Sequence, residues 1–265
     1  MTNSWQNLVP DKCDWCPLAC GANRASGESG LCGANDKLYV ARSALHFWEE
    51  PPISGIIGGP NRDQGPGSGT IFFSNCNLRC MFCQNHEISH EGKGIEITTD
   101  RLAEIMIEQQ ERGVNNINLV TPTMYIPLIK EGLILAKKCG LNIPIVYNTS
   151  SYENVSALKM LDGLIDVYMP DFKYFDDDLS IKYSSAPFYF KNATLAIEEM
   201  FKQVGSPVIE NNLIKKGMIV RHLIIPGHVN DSKKIIEYLY NKYKDNIYIS
   251  IMNQYTPVRH IDKYS

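Results

Sequence analysis

The sequence predicts an α/β fold built on a parallel sheet, and three observations predict it. Six short runs of β-branched and aromatic residues follow residue 69, helical patterns with apolar residues at three- and four-residue spacing separate them, and polar side chains gather where the runs end. Strands that alternate with helices pair in parallel, because each crossover returns the chain to the same end of the sheet. Two closures satisfy this pattern, an open doubly wound sheet or a partial barrel. Both collect ligands at the carboxyl ends of the strands.

Residues 1–60 differ from the rest. They are rich in Cys, Gly and Asn, with one helical pattern at KLYVARSALHFWEE, and read as a Cys-rich N-terminal extension to a main domain over 61–265. PPISGIIGGP and GPGSG form a loop-like approach to the first strand. The glycines of GPGSGT resemble a phosphate loop but precede a strand instead of joining strand to helix, so an entry turn is the reading. The six strands are TIFFSNC (70–76), INLVTP (117–122), IPIVYNTS (143–150), IDVYMPDFK (165–173), GMIVRHLIIPG (217–227) and NIYISIMNQY (246–255). Between them, RLAEIMIEQQERG has Asp100 as candidate N-cap and Gly113 as stop; IPLIKEGLILAKKCG and ENVSALKMLDG follow; TLAIEEMFKQVG stops at Gly205; DSKKIIEYLYNKYK opens with Asp231 or Ser232 as cap. Cys76, Thr121, Asn148, Thr149, Asp171 and Lys173 all fall at strand ends, which points to a working site on one rim.

The chain has 265 residues, 44% hydrophobic and 21% charged, enough for one large domain or two small ones. A net charge of -3 without a Lys/Arg-rich run argues against a nucleic-acid partner. No apolar run reaches the roughly 18 residues that cross a bilayer. MTNSWQNLVPDKC has neither a basic start nor an apolar core, so no signal peptide is expected and the location expected is cytoplasmic. Eight cysteines in a reducing compartment then read as metal ligands or catalysts, not disulfides. Cys139, at a helix end, reads as a semi-buried small side chain.

Cys76, Cys80 and Cys83 follow a strand with Cys-x3-Cys-x2-Cys spacing. Three thiolates on one loop can ligate three irons of a cubane and leave the fourth open. A zinc site with His86 and His90 is the alternative, but its Cys-to-His gap is two residues and it leaves Cys76 unexplained. Cys13, Cys16, Cys20 and Cys32 form a second, complete thiolate set, for which zinc and a second iron–sulfur cluster both fit. Its role is either structural support of a segment with little core of its own, or an auxiliary centre that relays electrons or binds substrate.

The motif SNCNLRCMFCQNHEIS, with Phe82 before the last cysteine, resembles the signature of the radical S-adenosylmethionine superfamily. HFWEEPPISG, GSGTIFFSNCNLRC, NINLVTPTMY, PIVYNTSSY, PDFKY, RHLIIPG and MNQYTP resemble its branch related to pyruvate formate-lyase activating enzymes. The resemblance implies a partial (β/α)6 barrel, a [4Fe–4S] cluster on Cys76, Cys80 and Cys83, and S-adenosylmethionine chelated at the open iron. It implies reductive cleavage to a 5′-deoxyadenosyl radical that abstracts hydrogen from a substrate.

By the same resemblance Phe82, Asn148-Thr149 and Met169-Pro170-Asp171-Phe172-Lys173 hold the cofactor, in some relatives with a monovalent cation. Asp171 balances a cation or the sulfonium side, Lys173 pairs with the cofactor carboxylate, and Arg221 lies near that carboxylate. A simple Asp171–Lys173 ion pair is the alternative. Strand alternation puts His222 on the face opposite Arg221, as a structural residue. The chain departs from the family where a Gly-Gly-Glu motif is expected, so oxygen atoms around Asn118, Thr121 and Thr123 are expected to take the place of its acidic side chain.

Implied partners are an electron donor such as flavodoxin or ferredoxin, and a glycyl radical enzyme. Radical modification of a small molecule or another macromolecule is a second reading, and a non-catalytic iron–sulfur sensor a third. The chain ends soon after MNQYTP, which leaves a barrel edge less covered than in relatives or marks a shortened chain.

Overall fold

The structure, a computed structural model, describes residues 8–55 and 65–256. The expected boundary at residue 60 lies outside them. Among the described residues nine strands join one sheet: β1 (Leu38–His46), β2 (Ser68–Phe73), β3 (Ile95–Ile97), β4 (Ile117–Val120), β5 (Ile145–Thr149), β6 (Val167–Pro170), β7 (Val208–Glu210), β8 (Leu213–Leu223) and β9 (Tyr248–Met252). β2, β4, β5, β6, β8 and β9 pair in parallel in that order, the six strands expected. β9 pairs with β8 and not with β2, so the barrel is open and partial.

The helices are α1 (Pro51–Ser54), α2 (His86–Ser89), α3 (Thr99–Glu111), α4 (Ile126–Lys138), α5 (Val155–Lys159), α6 (Asp177–Ser184), α7 (Tyr189–Val204) and α8 (Val229–Tyr243). Side-chain alternation in the strands sorts the core into two layers. Ile71, Phe73, Ile117, Leu119, Tyr147, Tyr168 and Val220 belong to a large cluster shared with Leu102, Met106, Leu133, Leu158, Ile197 and Met200 of the helices. Val146, Val167, Met169 and Ile219 face the other way and form a smaller cluster with Ile214 and with Ile53 of α1. α1 is pinned beneath β4 by Asn116 Nδ2, which donates to Ile53 O at 2.7 Å, and Asn115 Nδ2, which donates to Ser54 O at 2.8 Å. The smaller cluster is thus the floor of the barrel.

Four expectations need correction. The helical pattern at KLYVARSALHFWEE is strand β1, antiparallel to both β2 and β3. A register shift between Val40 and Arg42 breaks its alternation, so its apolar spacing mimics a helix. α3 is capped by Thr98, whose Oγ1 accepts from Arg101 N at 3.1 Å, while Asp100 sits in the first turn. α8 begins after His228; Asp231 instead accepts the backbone N–H groups of Phe175 and Asp176. Cys139, the C-cap of α4, is exposed and not semi-buried.

β8 also starts earlier than expected. Its first residues pair with β7 across a two-residue turn, Asn211–Asn212, both left-handed as a type I′ hairpin requires. Gly217, at φ +123°, then redirects the strand into the barrel; a Cβ there would come within 2.6 Å of Pro207 Cα.

Candidate active site

Past the end of β2, Asn75 turns the chain at φ +71° and delivers Cys76, Cys80 and Cys83 to the wall of a cavity of about 350 Å³. That is within the range of small-ligand pockets, roughly 300–1,000 Å³. Each sulfur has a polar neighbour: Leu78 N at 3.4 Å from Cys76, Ser184 Oγ at 2.9 Å from Cys80, and Ser89 Oγ at 3.2 Å from Cys83. Burial, reinforced by Cys80 and Cys83, pushes the Cys76 thiol up to about 12. Burial also raises Cys80, against the opposing pull of the Lys173 ammonium. Bare, the Cys76 and Cys80 thiols keep their protons at neutral pH, and a metal would displace them.

The opposite wall is charged. Arg221, near the end of β8, is bridged in register to Asp171, just after β6. Its Nε lies 2.8 Å from Asp171 Oδ1, its Nη2 2.7 Å from Asn148 Oδ1 and its Nη1 3.3 Å from Glu49 Oε2. Lys173 Nζ lies 2.7 Å from Asp171 Oδ2. Burial alone would raise the Asp171 carboxyl, but Arg221 and Lys173 together hold it below the ordinary aspartate value. Burial would lower Lys173 and Arg221, and the carboxylates raise both instead. Glu49 is raised by burial, which outweighs the Arg221 guanidinium beside it.

Backbone strain collects at the same rim. Thr121, Ser151 and Asn75 are left-handed at φ +57°, +63° and +71°, and a β-branched threonine there is a conformation that costs about 1–3 kcal/mol. Neighbours hold each one: Thr121 N donates to Asn148 O at 2.9 Å, Ser151 Oγ to Asp171 O at 2.7 Å, and Asn75 Nδ2 to Tyr125 Oη at 2.9 Å.

The cavity therefore gathers Cys76, Cys80, Cys83, Thr121, Asn148, Thr149, Asp171, Lys173 and Arg221. Four residues assigned from sequence lie outside its lining. Phe82 is buried against Tyr255, ring centroids 5.7 Å apart. Met169 is in the apolar floor. Thr123 is buried and donates to Glu153 Oε1 at 2.7 Å. Asn118 is buried on the barrel's inner face with its Nδ2 3.1 Å from Glu49 Oε1. His222, on the outer face as alternation requires, is buried between Phe172 O at 2.7 Å and Ser232 Oγ at 2.8 Å. His86 and His90 do not line the cavity.

Two acids escaped the sequence reading. Glu49 corrects the expectation that no acidic side chain stands beside the second strand: it reaches Asn118 from the segment before α1. Glu153, fully buried, accepts from Tyr147 Oη at 3.1 Å as well as from Thr123 and Thr149, and so ties the ends of β4 and β5 together. Only the HFWEE segment gave a sign of Glu49, and nothing in it located the residue in space.

The residues present fit an iron–sulfur cluster with a polar small molecule beside it. Among the described residues no three His, Cys, Asp or Glu side chains converge closely enough to grip one ion, whereas a cubane fills the space between its sulfurs. Ser150 Oγ at the cavity wall and Asn118 Oδ1 on the inner face are buried without a hydrogen-bond partner, as groups awaiting a ligand are.

A family model described as the Radical SAM superfamily matches residues 70–239. An uncharacterized protein of Methanocaldococcus jannaschii is 29% identical over 257 residues, covering 92% of this chain and 66% of that protein, so the chain spans about two thirds of that relative. The pyruvate formate-lyase-activating enzyme of Clostridium pasteurianum is 28% identical over 194 residues, 68% of this chain and 71% of the enzyme. Among solved structures, Streptococcus suis SuiB bound to S-adenosylmethionine aligns with a TM-score of 0.49 at 15% identity, over 69% of this chain and 40% of SuiB. Methylornithine synthase (PylB) aligns with a TM-score of 0.48 at 16% identity, over 72% of this chain and 55% of the synthase. No helix among the described residues is long and apolar enough to cross a membrane.

Proposed function

The chain belongs to the radical SAM superfamily, and from that premise we propose that it is an activating-type enzyme that abstracts hydrogen from a partner protein of the glycyl radical class. The observation that carries the radical chemistry is the single cavity that brings Cys76, Cys80 and Cys83 opposite Asp171, Lys173, Arg221 and Asn148. The likeness to the Clostridium pasteurianum enzyme supports the choice of partner.

Bound in this cavity, a [4Fe–4S] cluster supplies an electron and an open iron, and S-adenosylmethionine supplies the 5′-deoxyadenosyl radical. The chain's own residues bind and orient. Cys76, Cys80 and Cys83 release their protons to become the cluster's ligands. Lys173 keeps its proton through Asp171 and Cys80, and offers a cation to a carboxylate. Arg221 is held by Asp171, Asn148 and Glu49, so it fixes the wall more than it reaches into the cavity. Glu49, which lines the cavity and holds Asn118 behind it, supplies acceptors for an ammonium, in the place the Gly-Gly-Glu motif fills elsewhere in the family. The apolar floor keeps water from the lower end.

The test is anaerobic reconstitution with iron and sulfide, reduction by a flavodoxin- or ferredoxin-type donor, and addition of S-adenosylmethionine. The expected result is 5′-deoxyadenosine above a Cys76→Ala control, and a protein-borne glycyl radical signal by EPR when a glycyl radical enzyme is added. 5′-Deoxyadenosine without any such signal across glycyl radical enzymes would retain the radical chemistry and reject the activating role.

A further inference from the structure

The four cysteines of the N-terminal segment lie close to the cluster loop. Gly30 has Cys20 Sγ and Cys32 Sγ on one side of it, 3.2 and 3.5 Å from where a Cβ would stand. Cys13 is a neighbour of Cys20, and Cys16 of both Cys13 and Cys32, so the four thiols share one neighbourhood without three of them converging on a single point. Tight turns present them: Gly21 N donates to Cys13 O at 3.0 Å, Ala19 N to Cys16 O at 3.0 Å, and Gly33 N to Gly30 O at 2.8 Å. Spacing of this kind is what thiolate metal sites use.

A second observation concerns charge. Arg24 is fully buried, with Trp15 4.5 Å from its guanidinium and backbone oxygens of Asn35 and Met124 as acceptors. Among the described residues it makes no ion pair with a carboxylate. A buried cation without a counter-charge is costly. Four thiolates around zinc or around a cubane leave a net negative charge, which would balance Arg24.

A third observation is the contact between the two cysteine sets. Asn77 meets the Cys16 thiol and lies with its Oδ1 3.9 Å from Cys76 Sγ, and its Nδ2 donates to Tyr152 O at 2.6 Å. Gly33 rests against Asn75: a side chain there would come within 2.6 Å of Asn75 Oδ1. Arg79 Nη2 donates to Leu31 O at 2.9 Å, and its Nη1 to Ser89 O at 3.2 Å. Alternate residues of the cluster loop, 75, 77 and 79, thus hold residues 33, 16 and 31 of the N-terminal segment.

We infer that Cys13, Cys16, Cys20 and Cys32 bind a thiolate metal centre, counterbalanced by Arg24, whose loading sets the conformation of the Cys76–Cys83 loop through Asn75, Asn77 and Arg79. This rests on the reading of Cys76, Cys80 and Cys83 as cluster ligands. No three of the four sulfurs stand closely enough to grip a single ion, so the centre that fits them is an iron–sulfur cubane, which fills the space between its thiolates.

The experiment measures zinc, iron and acid-labile sulfide in the full chain, purified and reconstituted without oxygen, alongside three variants. Wild type is expected to hold about eight irons with matching sulfide, whereas about four irons plus one zinc would overturn the cubane at the N-terminal set. Cys80→Ala is expected to lose the loop's cluster and keep the other metal. Cys16→Ser is expected to lose the N-terminal metal and most of the loop's iron. Asn77→Ala, which retains all seven thiols, is expected to keep the N-terminal metal and to weaken iron loading of the loop roughly tenfold, as lost supports of metal ligands do. Four irons and no other metal in wild type would overturn the centre. Normal loop iron in both Cys16→Ser and Asn77→Ala would overturn the coupling. An N-terminal metal with no loop iron in wild type would reject the cluster-ligand reading, and the coupling with it, but leave the centre.

Discussion

Arg221 Nε and Lys173 Nζ lie 2.8 and 2.7 Å from the two oxygens of one carboxylate, that of Asp171. Two half-buried cations share one anion, so Asp171 anchors the charged wall. Asp171→Asn keeps the shape and removes the charge. Because Arg221 keeps Glu49 and Asn148, the expected loss is near the lower end for a broken buried pair, about 3 kcal/mol, read from the urea midpoint of unfolding.

Lys173→Ala removes the cation that faces the cysteine loop and leaves the Arg221–Asp171 pair. Cofactor affinity is expected to fall roughly 10- to 100-fold, the worth of one charge-assisted hydrogen bond. Iron content is expected to stay at the wild-type level. Anaerobic equilibrium dialysis with S-adenosylmethionine reads the first, and metal analysis the second.

Cys80→Ala is expected to abolish the EPR signal of the reduced cluster and its broadening by S-adenosylmethionine. An unaltered signal would remove Cys80 from the ligand set.

His222 gives a pH dependence with a fixed sign. Burial lowers its pKa below the ordinary 6.5, so in the window just below that value the unfolded chain binds the proton and the folded chain does not. Its contribution to stability is complete above pH 6.5 and is lost progressively as pH falls from that value through the lower pKa of the folded chain. Urea midpoints from pH 7.5 to 5.5 are expected to drop more steeply in wild type than in His222→Gln.

Thr121→Gly relieves the left-handed strain at the end of β4. Stability is expected to rise by about 1 kcal/mol, while cofactor affinity falls as the rim loosens. A gain in both would deny the strain a role in binding.

The parallel core was legible because buried strands and amphipathic helices carry different periods. Asp171, Lys173, Asn148 and Thr121 could be found because a strand end is a place as well as a sequence position. β1 was not, since the shift at Val40–Arg42 erases the alternation that marks a strand. Glu49 was not legible either: its position depends on how the Pro51–Ser54 turn tucks under β4, a tertiary relation with no local period. The same holds for Asn77, whose spacing from Cys16 in sequence gives no hint of their contact.

The floor formed by Ile53, Val146, Val167, Met169, Ile214 and Ile219 makes the described barrel a vessel closed below and loaded from its rim and its open side. Such a vessel imposes an order of traffic. Whatever lies against its inner wall must enter before, and depart after, anything that covers it. Turnover becomes a queue in which the outermost guest governs the release of the innermost.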